Sequence, residues 1–298
     1  MWHEWGYDQF AQGAREQMTP EISEFSYGFA LTNELVGWTP LNAAPIFPSL
    51  IEEGKADGGY DVKFDKPGAP LFLQFKRSDC MKYRSAREIK KYGLPLVPDF
   101  YRFPITARKK SFQHTSLVTL DDGINEVFYV APRFHKHSEI NDAWAKQKVA
   151  ERSVFVPPSA IGLIYDDDAH YVSFDENRTF FCSEPKEIDA LSIEDLRSRL
   201  TEKIQKDERP LRETAVEWRN NIRTRVENAR ETQSKLDKEM GQLSEPESHP
   251  RIRRRSPPPT MEIRPEKELS EERRVVRELA DDAQRYFNAQ LVVVQKVD

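Results

Sequence analysis

Residues 58–79, GGYDVKFDKPGAPLFLQFKRSD, predict two β-strands joined by a tight turn. In the first strand, at 60–64, apolar and charged side chains alternate as they do on a half-buried strand. The connection at 65–68, DKPG, places proline and glycine in the order that a type II turn prefers. The second strand, at 71–76, is one of the most apolar runs in the chain, yet it contains a glutamine and a lysine two residues apart.

The two-residue period of a strand decides where these polar side chains point. Gln74 and Lys76 share one face with Phe72, and the other face carries Leu71, Leu73 and Phe75. If the hairpin forms, Asp61 from the first strand meets Gln74 and Lys76 at one end of the sheet. A carboxylate and an amide oxygen suit Mg²⁺, and a lysine beside them can orient or deprotonate a water molecule or stabilise charge on a phosphate. The hairpin therefore predicts a catalytic metal site.

The segment at 20–36 predicts a helix before this hairpin, with Thr19 as its N-cap and Pro20 in its first turn. Glu24 and Gly28 begin a stripe at spacings of three and four, and Gly28 predicts close packing against a neighbour. An adjacent stripe makes most of the helix circumference apolar and predicts that it is buried; its members are Phe25, Phe29 and Val36.

The remaining patterns of the first 190 residues complete one domain. They predict helices at 84–92, 112–124 and 139–150 and strands at 44–51, 126–134, 153–157, 161–165 and 170–174. The order helix, strand, hairpin, helix, strand predicts an α/β domain with a mixed sheet over residues 1–190.

Beyond residue 190 the sequence becomes more charged. Residues 191–243 predict an amphipathic helical extension, with Ser192 as a helix start and an apolar seam that includes Trp218. This seam requires a partner surface, either in this chain or in a second copy or partner protein. Residues 244–265 are rich in proline, serine and arginine and predict a linker. Residues 266–298 predict a helix capped by Ser270 and a short strand with no local partner.

The spacing of Asp61 to Gln74-Phe75-Lys76, after a helix that bears Glu24, resembles the PD-(D/E)XK nuclease superfamily. The resemblance covers less than half of the chain and implies a restriction-endonuclease-like αβββαβ core with a mixed sheet, followed here by the charged helical extension. It implies that Asp61 and Gln74 bind the metal, that Lys76 serves the attacking water, and that Glu24 is an accessory ligand. The implied cofactor is Mg²⁺, with Mn²⁺ as a substitute.

Two residues depart from the superfamily pattern. Tyr60 stands at the position of the proline, and Gln74 replaces the acidic residue, as in the Mrr-like restriction endonuclease branch with its QxK motif. That branch implies a nuclease of bacterial restriction or anti-phage defence that cuts DNA rather than RNA. Glutamine supplies no charge, so the alternative is an inactive nuclease-fold module that binds nucleic acid or a partner protein. A simpler alternative leaves Gln74 and Lys76 as solvated residues of an edge strand and Asp61 as a strand-end cap.

A basic run follows the predicted site. Residues 76–110 contain eleven lysines and arginines against three acidic residues, although the whole chain has a net charge of -5. Local positive charge with interleaved tyrosines is typical of phosphate binding, and a solvated basic face is the alternative. The predicted nucleic-acid-binding residues are Arg77, Lys82, Arg84, Arg87, Lys90, Lys91, Arg108, Lys109 and Lys110. His114, which follows them, either faces the same site or is buried.

The bulk composition sets limits on location. The two cysteines, Cys80 and Cys182, form neither a CxxC pair nor a disulfide framework. The sequence shows no signal peptide at its start and no apolar run of membrane-spanning length. These features predict a soluble cytoplasmic protein without a membrane partner.

Overall fold

The computed structural model describes residues 17–46, 62–108, 110–241 and 270–297. These residues form a mixed α/β structure with two sheets. The central sheet has the strand order β2–β11–β3–β6–β7. Its strands are β2 (Leu41–Ile46), β3 (Ala69–Phe75), β6 (Glu126–Pro132), β7 (Ser153–Val156) and β11 (Gln290–Lys296). Only β3 and β6 are parallel neighbours, and the sheet is therefore mixed, as the sequence predicted.

The second sheet is antiparallel throughout and has the order β1–β4–β5–β8–β9–β10. Its strands are β1 (Gln17–Met18), β4 (Asp79–Met81), β5 (Phe100–Ile105), β8 (His170–Phe174), β9 (Thr179–Phe181) and β10 (Lys186–Glu187). Phe103 and Phe174 of this sheet share one hydrophobic cluster with Phe72 and Tyr129 of the central sheet. The face of β3 that carries Gln74 is thus turned toward the second sheet.

The predicted hairpin partner of β3 is wrong. Residues 62–64 are not part of a strand, and Tyr60 and Asp61 lie outside the described residues. The C-terminal strand β11 occupies that edge of β3 instead, with Val292 opposite Leu71, and it pairs with β2 on its other side. Three successive valines make β11 a strong strand former, so it takes the central place between two other strands. The turn predicted at 65–68 is wrong in its type and position: the structure has a turn at 64–66, and Gly68 does not take the positive φ that a type II turn requires of its glycine.

The first helix, α1 (Glu24–Val36), covers the opposite face of the central sheet. Ser23, rather than Thr19, is its N-cap, because the Ser23 side chain accepts a hydrogen bond from the Ser26 backbone N–H. Gly28 is buried against Phe75, and a Cβ at Gly28 would lie 2.8 Å from the Phe75 ring, which confirms the predicted close packing. The predicted burial of the second stripe is wrong, since three of its side chains are exposed: Phe25, Phe29 and Val36.

The amphipathic extension packs within its own chain. It comprises α6 (Ile193–Lys206), capped by Ser192 as predicted, and α7 (Leu211–Gly241). The seam of α7 is buried against α3 (Gln113–Leu120) and α8 (Glu271–Asp282), whose N-cap is Ser270 as predicted. The partner surface that the seam required is therefore supplied by this chain. The predicted linker at 244–265 lies outside the described residues.

Two shorter helices match predicted ones: α2 (Arg87–Lys90) lies within 84–92, and α4 (His137–Ala145) overlaps 139–150. A third, α5 (Pro158–Ile161), was not predicted. The strand predicted at 161–165 is wrong, because α5 ends at Ile161 and residues 162–165 have no regular structure. Within the described residues, no helix is both long enough and apolar enough to span a membrane.

Candidate active site

Gln74 and Lys76 lie on one face of the central sheet, as the two-residue period predicted. Phe72 belongs to the cluster between the two sheets, whereas Leu71 and Leu73 belong to the cluster beneath α1. Lys76 follows the last residue of β3 and continues its pairing, because the Lys76 backbone N–H donates to the Val130 carbonyl at 2.8 Å. The end of β3 therefore presents an amide and an ammonium to the same interior space.

The Gln74 side chain is 3% exposed and is held at both ends. Its Nε2 donates to the Phe75 carbonyl at 3.2 Å, and its Oε1 accepts from Gln113 Nε2 at 2.8 Å. Gln113, at the start of α3, also donates to the Phe287 carbonyl at 3.1 Å. An amide oxygen has two lone pairs, so Oε1 keeps one acceptor position beyond its bond with Gln113. These contacts fix the orientation of the amide.

Lys76 is 7% exposed, which is unusual for a lysine. Among the described residues, no carboxylate lies within ion-pair distance of its ammonium. Its Nζ lies 5.5 Å from the centre of the Tyr129 ring, a distance typical of a cation–π contact. Burial lowers the pKa of Lys76, and the Glu24 carboxylate opposes this shift by its charge. A buried ammonium of this kind is unfavourable for the fold and is characteristic of functional sites.

His114 and Tyr129 form the wall next to Lys76. His114 Nε2 lies 2.8 Å from the Gly162 carbonyl, which can only accept, so Nε2 carries the proton and donates. Nδ1 then accepts from the Tyr129 hydroxyl at 2.8 Å. Burial lowers the pKa of His114 to about 4, and the charge of Lys76 acts in the same direction. His114 is therefore buried and neutral at pH 7.

We expect His114 to make stability depend on pH. Its folded pKa of about 4 lies below its ordinary value of 6.5, so the unfolded chain takes up the proton first as the pH falls. The stability that the neutral ring contributes is complete above pH 6.5 and is lost as the pH falls toward 4, by up to about 3 kcal/mol. Urea unfolding at pH 7, 5.5 and 4.5 measures this loss. His114→Gln should flatten the pH dependence, whereas His137→Gln, at an exposed position, should not; equal pH slopes in all three proteins would contradict the assignment.

Of the two predicted acidic metal ligands, Glu24 and Asp61, the structure describes only Glu24. Glu24 is exposed at the first position of α1, near enough to Lys76 for its charge to act there. Asp61 lies outside the described residues, although its neighbour Val62 packs against the cluster that contains Phe72. Among the described residues, no three His, Cys, Asp or Glu side chains group closely enough to hold a metal ion. Gln74 and Glu24 carry oxygen donors of the kind that Mg²⁺ takes, but Glu24 begins the helix that covers the opposite sheet face, and no contact joins the two side chains.

The predicted basic residues divide into exposed and paired ones. Six of them are exposed: Arg77, Arg84, Arg87, Lys90, Lys91 and Lys110. Lys82 pairs with Asp99 at 3.0 Å. Arg108 is largely buried and pairs with Asp167 and Asp237, so its guanidinium serves the fold and the prediction of a phosphate contact there is not supported by its surroundings. Lys109 lies outside the described residues.

Two residues of this site were missed by the sequence reasoning. Gln113 contacts Gln74, and Tyr129 contacts Lys76 and His114, yet no motif in the sequence sets either residue apart from its neighbours. The one available signal was position: Tyr129 alternates with Val127 on the face of β6 that lies beside Phe72 and Gln74 in the parallel register. No protein-family profile, curated protein or solved structure matches this chain.

Proposed function

We propose that this protein is a metal-dependent nuclease that hydrolyses phosphodiester bonds in DNA, with its active site at the end of β3. The observation that carries the proposal is Lys76, a buried ammonium with no carboxylate partner among the described residues, on the same sheet face as the oriented amide of Gln74. Proteins rarely keep a lysine in such an environment unless the charge or the proton is used. Phosphodiester hydrolysis uses both.

The arrangement of elements supports a restriction-endonuclease-like core. Among the central-sheet strands and their flanking helices, the order α1, β2, β3, α3, β6 follows the superfamily order apart from its middle strand. β4, α2 and β5 are inserted between β3 and α3, and β11 lies antiparallel between β2 and β3. β6 then lies parallel to β3, with α3 in the connection between them. In this proposal the C-terminal strand takes the structural place of the middle strand, and the acidic residue Asp61 comes from the segment that precedes β3.

In the proposed reaction, different side chains bind the metal and stabilise charge on the phosphate. Asp61 and Gln74 would hold Mg²⁺ or Mn²⁺, with Gln113 fixing the Gln74 amide from behind. When bound, the cation would polarise the phosphate and lower the pKa of a coordinated water. The Lys76 ammonium stabilises the negative charge that develops on the phosphate, and its burial strengthens that interaction. The lowered pKa of Lys76 also leaves a larger fraction of it as the neutral amine than an exposed lysine would have, and the neutral amine is the form that can accept a proton from water.

The exposed basic residues supply the remaining requirement of a nuclease, which is attraction of the phosphate backbone. They lie between the end of β3 and the start of α3, in the segment that begins at Lys76. The uncharged Gln74 favours a second candidate, an inactive nuclease-fold module that binds nucleic acid or a partner protein through these residues. A function in bacterial restriction or anti-phage defence is part of the first proposal and rests on the QxK resemblance.

The two candidates are separated by cleavage assays on the full chain. Supercoiled plasmid, single-stranded DNA and RNA are incubated with the protein in Mg²⁺, in Mn²⁺ and in EDTA. The nuclease proposal expects cleavage of DNA in at least one metal and none in EDTA. Binding without cleavage of any substrate in either metal would contradict it and support the binding module.

A further inference from the structure

An open groove of about 650 Å³ lies beside the candidate active site, between α7 and the π-helical turn Ala283–Phe287. Its volume is within the roughly 300–1,000 Å³ of small-molecule sites. Phe112 and Tyr286 contribute aromatic rings to its lining, and Phe112 is 37% exposed. Tyr286 is half-buried and also packs against the hydrophobic core, so the groove offers a ligand the exposed Phe112 ring and the uncovered part of Tyr286.

Three cations line the same groove: Arg230, Lys238 and Arg285. All three are exposed, and none forms an ion pair with a described residue. The Arg230 guanidinium lies 5.2 Å from the centre of the Tyr286 ring, which holds the cation next to the aromatic surface. The acidic lining residue, Asp237, is already paired with Arg108 and also accepts from Gln233 Nε2 at 2.9 Å. When Arg108 and its second partner Asp167 are counted as well, the groove has four positive and two negative side chains, which leaves an excess of two positive charges.

The groove adjoins the residues that hold Gln74. Phe112 directly precedes Gln113, and Tyr286 directly precedes Phe287. Gln113 Nε2 bonds both the Gln74 amide oxygen and the Phe287 carbonyl, so the two walls of the groove meet behind Gln74. A π-helical turn widens the helix at Arg285 and Tyr286, and such turns are frequent at functional sites.

We infer that this groove binds a nucleoside phosphate, either a free nucleotide or the terminal nucleotide of a strand. Aromatic rings stack on a nucleobase of any identity, and arginine and lysine bind the phosphate. The excess positive charge favours an anionic ligand over a cationic one. This inference goes beyond the proposed hydrolysis and does not require it, because binding in the groove involves neither Lys76 nor a metal.

Calorimetric titrations of the full chain in EDTA test this site separately from cleavage. The ligands are adenosine monophosphate, a 5′-phosphorylated DNA oligonucleotide and inorganic phosphate. Binding of the mononucleotide assigns a free nucleotide, and binding of the oligonucleotide alone assigns a strand end. Arg285→Ala and Phe112→Ala should each weaken the observed binding at least about tenfold. Arg273→Ala, an exposed arginine of α8, and Lys235→Ala, an exposed lysine of α7, serve as controls and should change it by less than about twofold.

Three results would overturn the inference. They are the absence of binding by both nucleotide ligands, equal binding by inorganic phosphate, and binding that the groove variants weaken no more than the controls. The altered side chains are at least partly exposed, so a thermal melt should show all variants folded.

Discussion

Replacing Lys76 with methionine should slow DNA cleavage by about 10²–10⁴-fold and at the same time raise the temperature of unfolding. Cleavage falls because methionine can neither stabilise charge on the phosphate nor exchange a proton with water. Stability rises because burial lowers the pKa of Lys76, which means that the charged form is less stable in the folded protein than in water. Methionine is unbranched and similar in length, so it fills the same space without a desolvation cost.

Lys235→Met is the matched control, because Lys235 is an exposed lysine of α7, outside the basic segment. It should leave the cleavage rate within a few-fold of wild type and should not raise the unfolding temperature. Single-turnover cleavage and a calorimetric melt measure the two properties on the same samples. A Lys76→Met protein that cleaves at the wild-type rate, or that loses stability, would show that Lys76 serves the fold rather than the reaction.

Ending the chain at Ala289, which removes β11, should abolish the folded state altogether. Leu291, Val292, Val293 and Val294 are each at most 1% exposed, and full burial of such a side chain contributes about 1.5–3 kcal/mol. Their sum, roughly 6–12 kcal/mol, is comparable to the whole stability of a typical domain, about 5–15 kcal/mol. The truncation would also leave β2 and β3 without the strand that joins them.

A point substitution in β11 tests the same prediction without shortening the chain. Val292→Asp places a carboxylate at the centre of the sheet and should also prevent cooperative unfolding, whereas Val297→Asp, at a position 48% exposed, should be close to neutral. Near-ultraviolet circular dichroism and urea unfolding report both outcomes. A truncated protein that still unfolds cooperatively would mean that β11 is not part of the central sheet.

The local features of this fold follow from the sequence because they depend on short periods. Alternation in LFLQFK placed Gln74 and Lys76 on one face, and the absence of a side chain at Gly28 predicted close packing, which the structure shows against Phe75. Ser192 and Ser270 were identifiable as helix starts from the residues that follow them. The α/β class follows from the same patterns.

The partner of β3 could not be predicted in the same way. Two runs compete for that edge, and 60–64 is near in sequence while β11 is more than two hundred residues away. Sequence proximity favours the first, but four nearly fully buried apolar residues favour the second, and the structure follows burial. Gln295 then binds the backbone of the displaced segment, accepting from Lys63 N–H and donating to the Lys63 carbonyl, each at 2.9 Å.

The exposed apolar residues of α1 show a second feature that the sequence pattern could not predict. A stripe of apolar side chains predicts burial only if another element covers it, and the described residues leave Phe25 and Phe29 largely uncovered. Phe29 contacts Trp144 of α4 edge-to-face at 6.4 Å between ring centres, and Trp144 is itself 47% exposed. Periodicity gives the direction of a face but not what packs against it.

Metal binding through Gln74 is tested most directly by titrating the full chain with Mn²⁺ and comparing wild type with Gln74→Glu and Asp61→Asn. Glutamate keeps the shape of glutamine and adds a negative charge, so Gln74→Glu should bind Mn²⁺ more tightly and retain cleavage. Asp61→Asn should bind it more weakly, because it removes a carboxylate. Gln284→Glu, at an exposed position, is the control and should behave as wild type. Identical Mn²⁺ affinities and cleavage rates in all four proteins would contradict a metal-dependent active site at the end of β3.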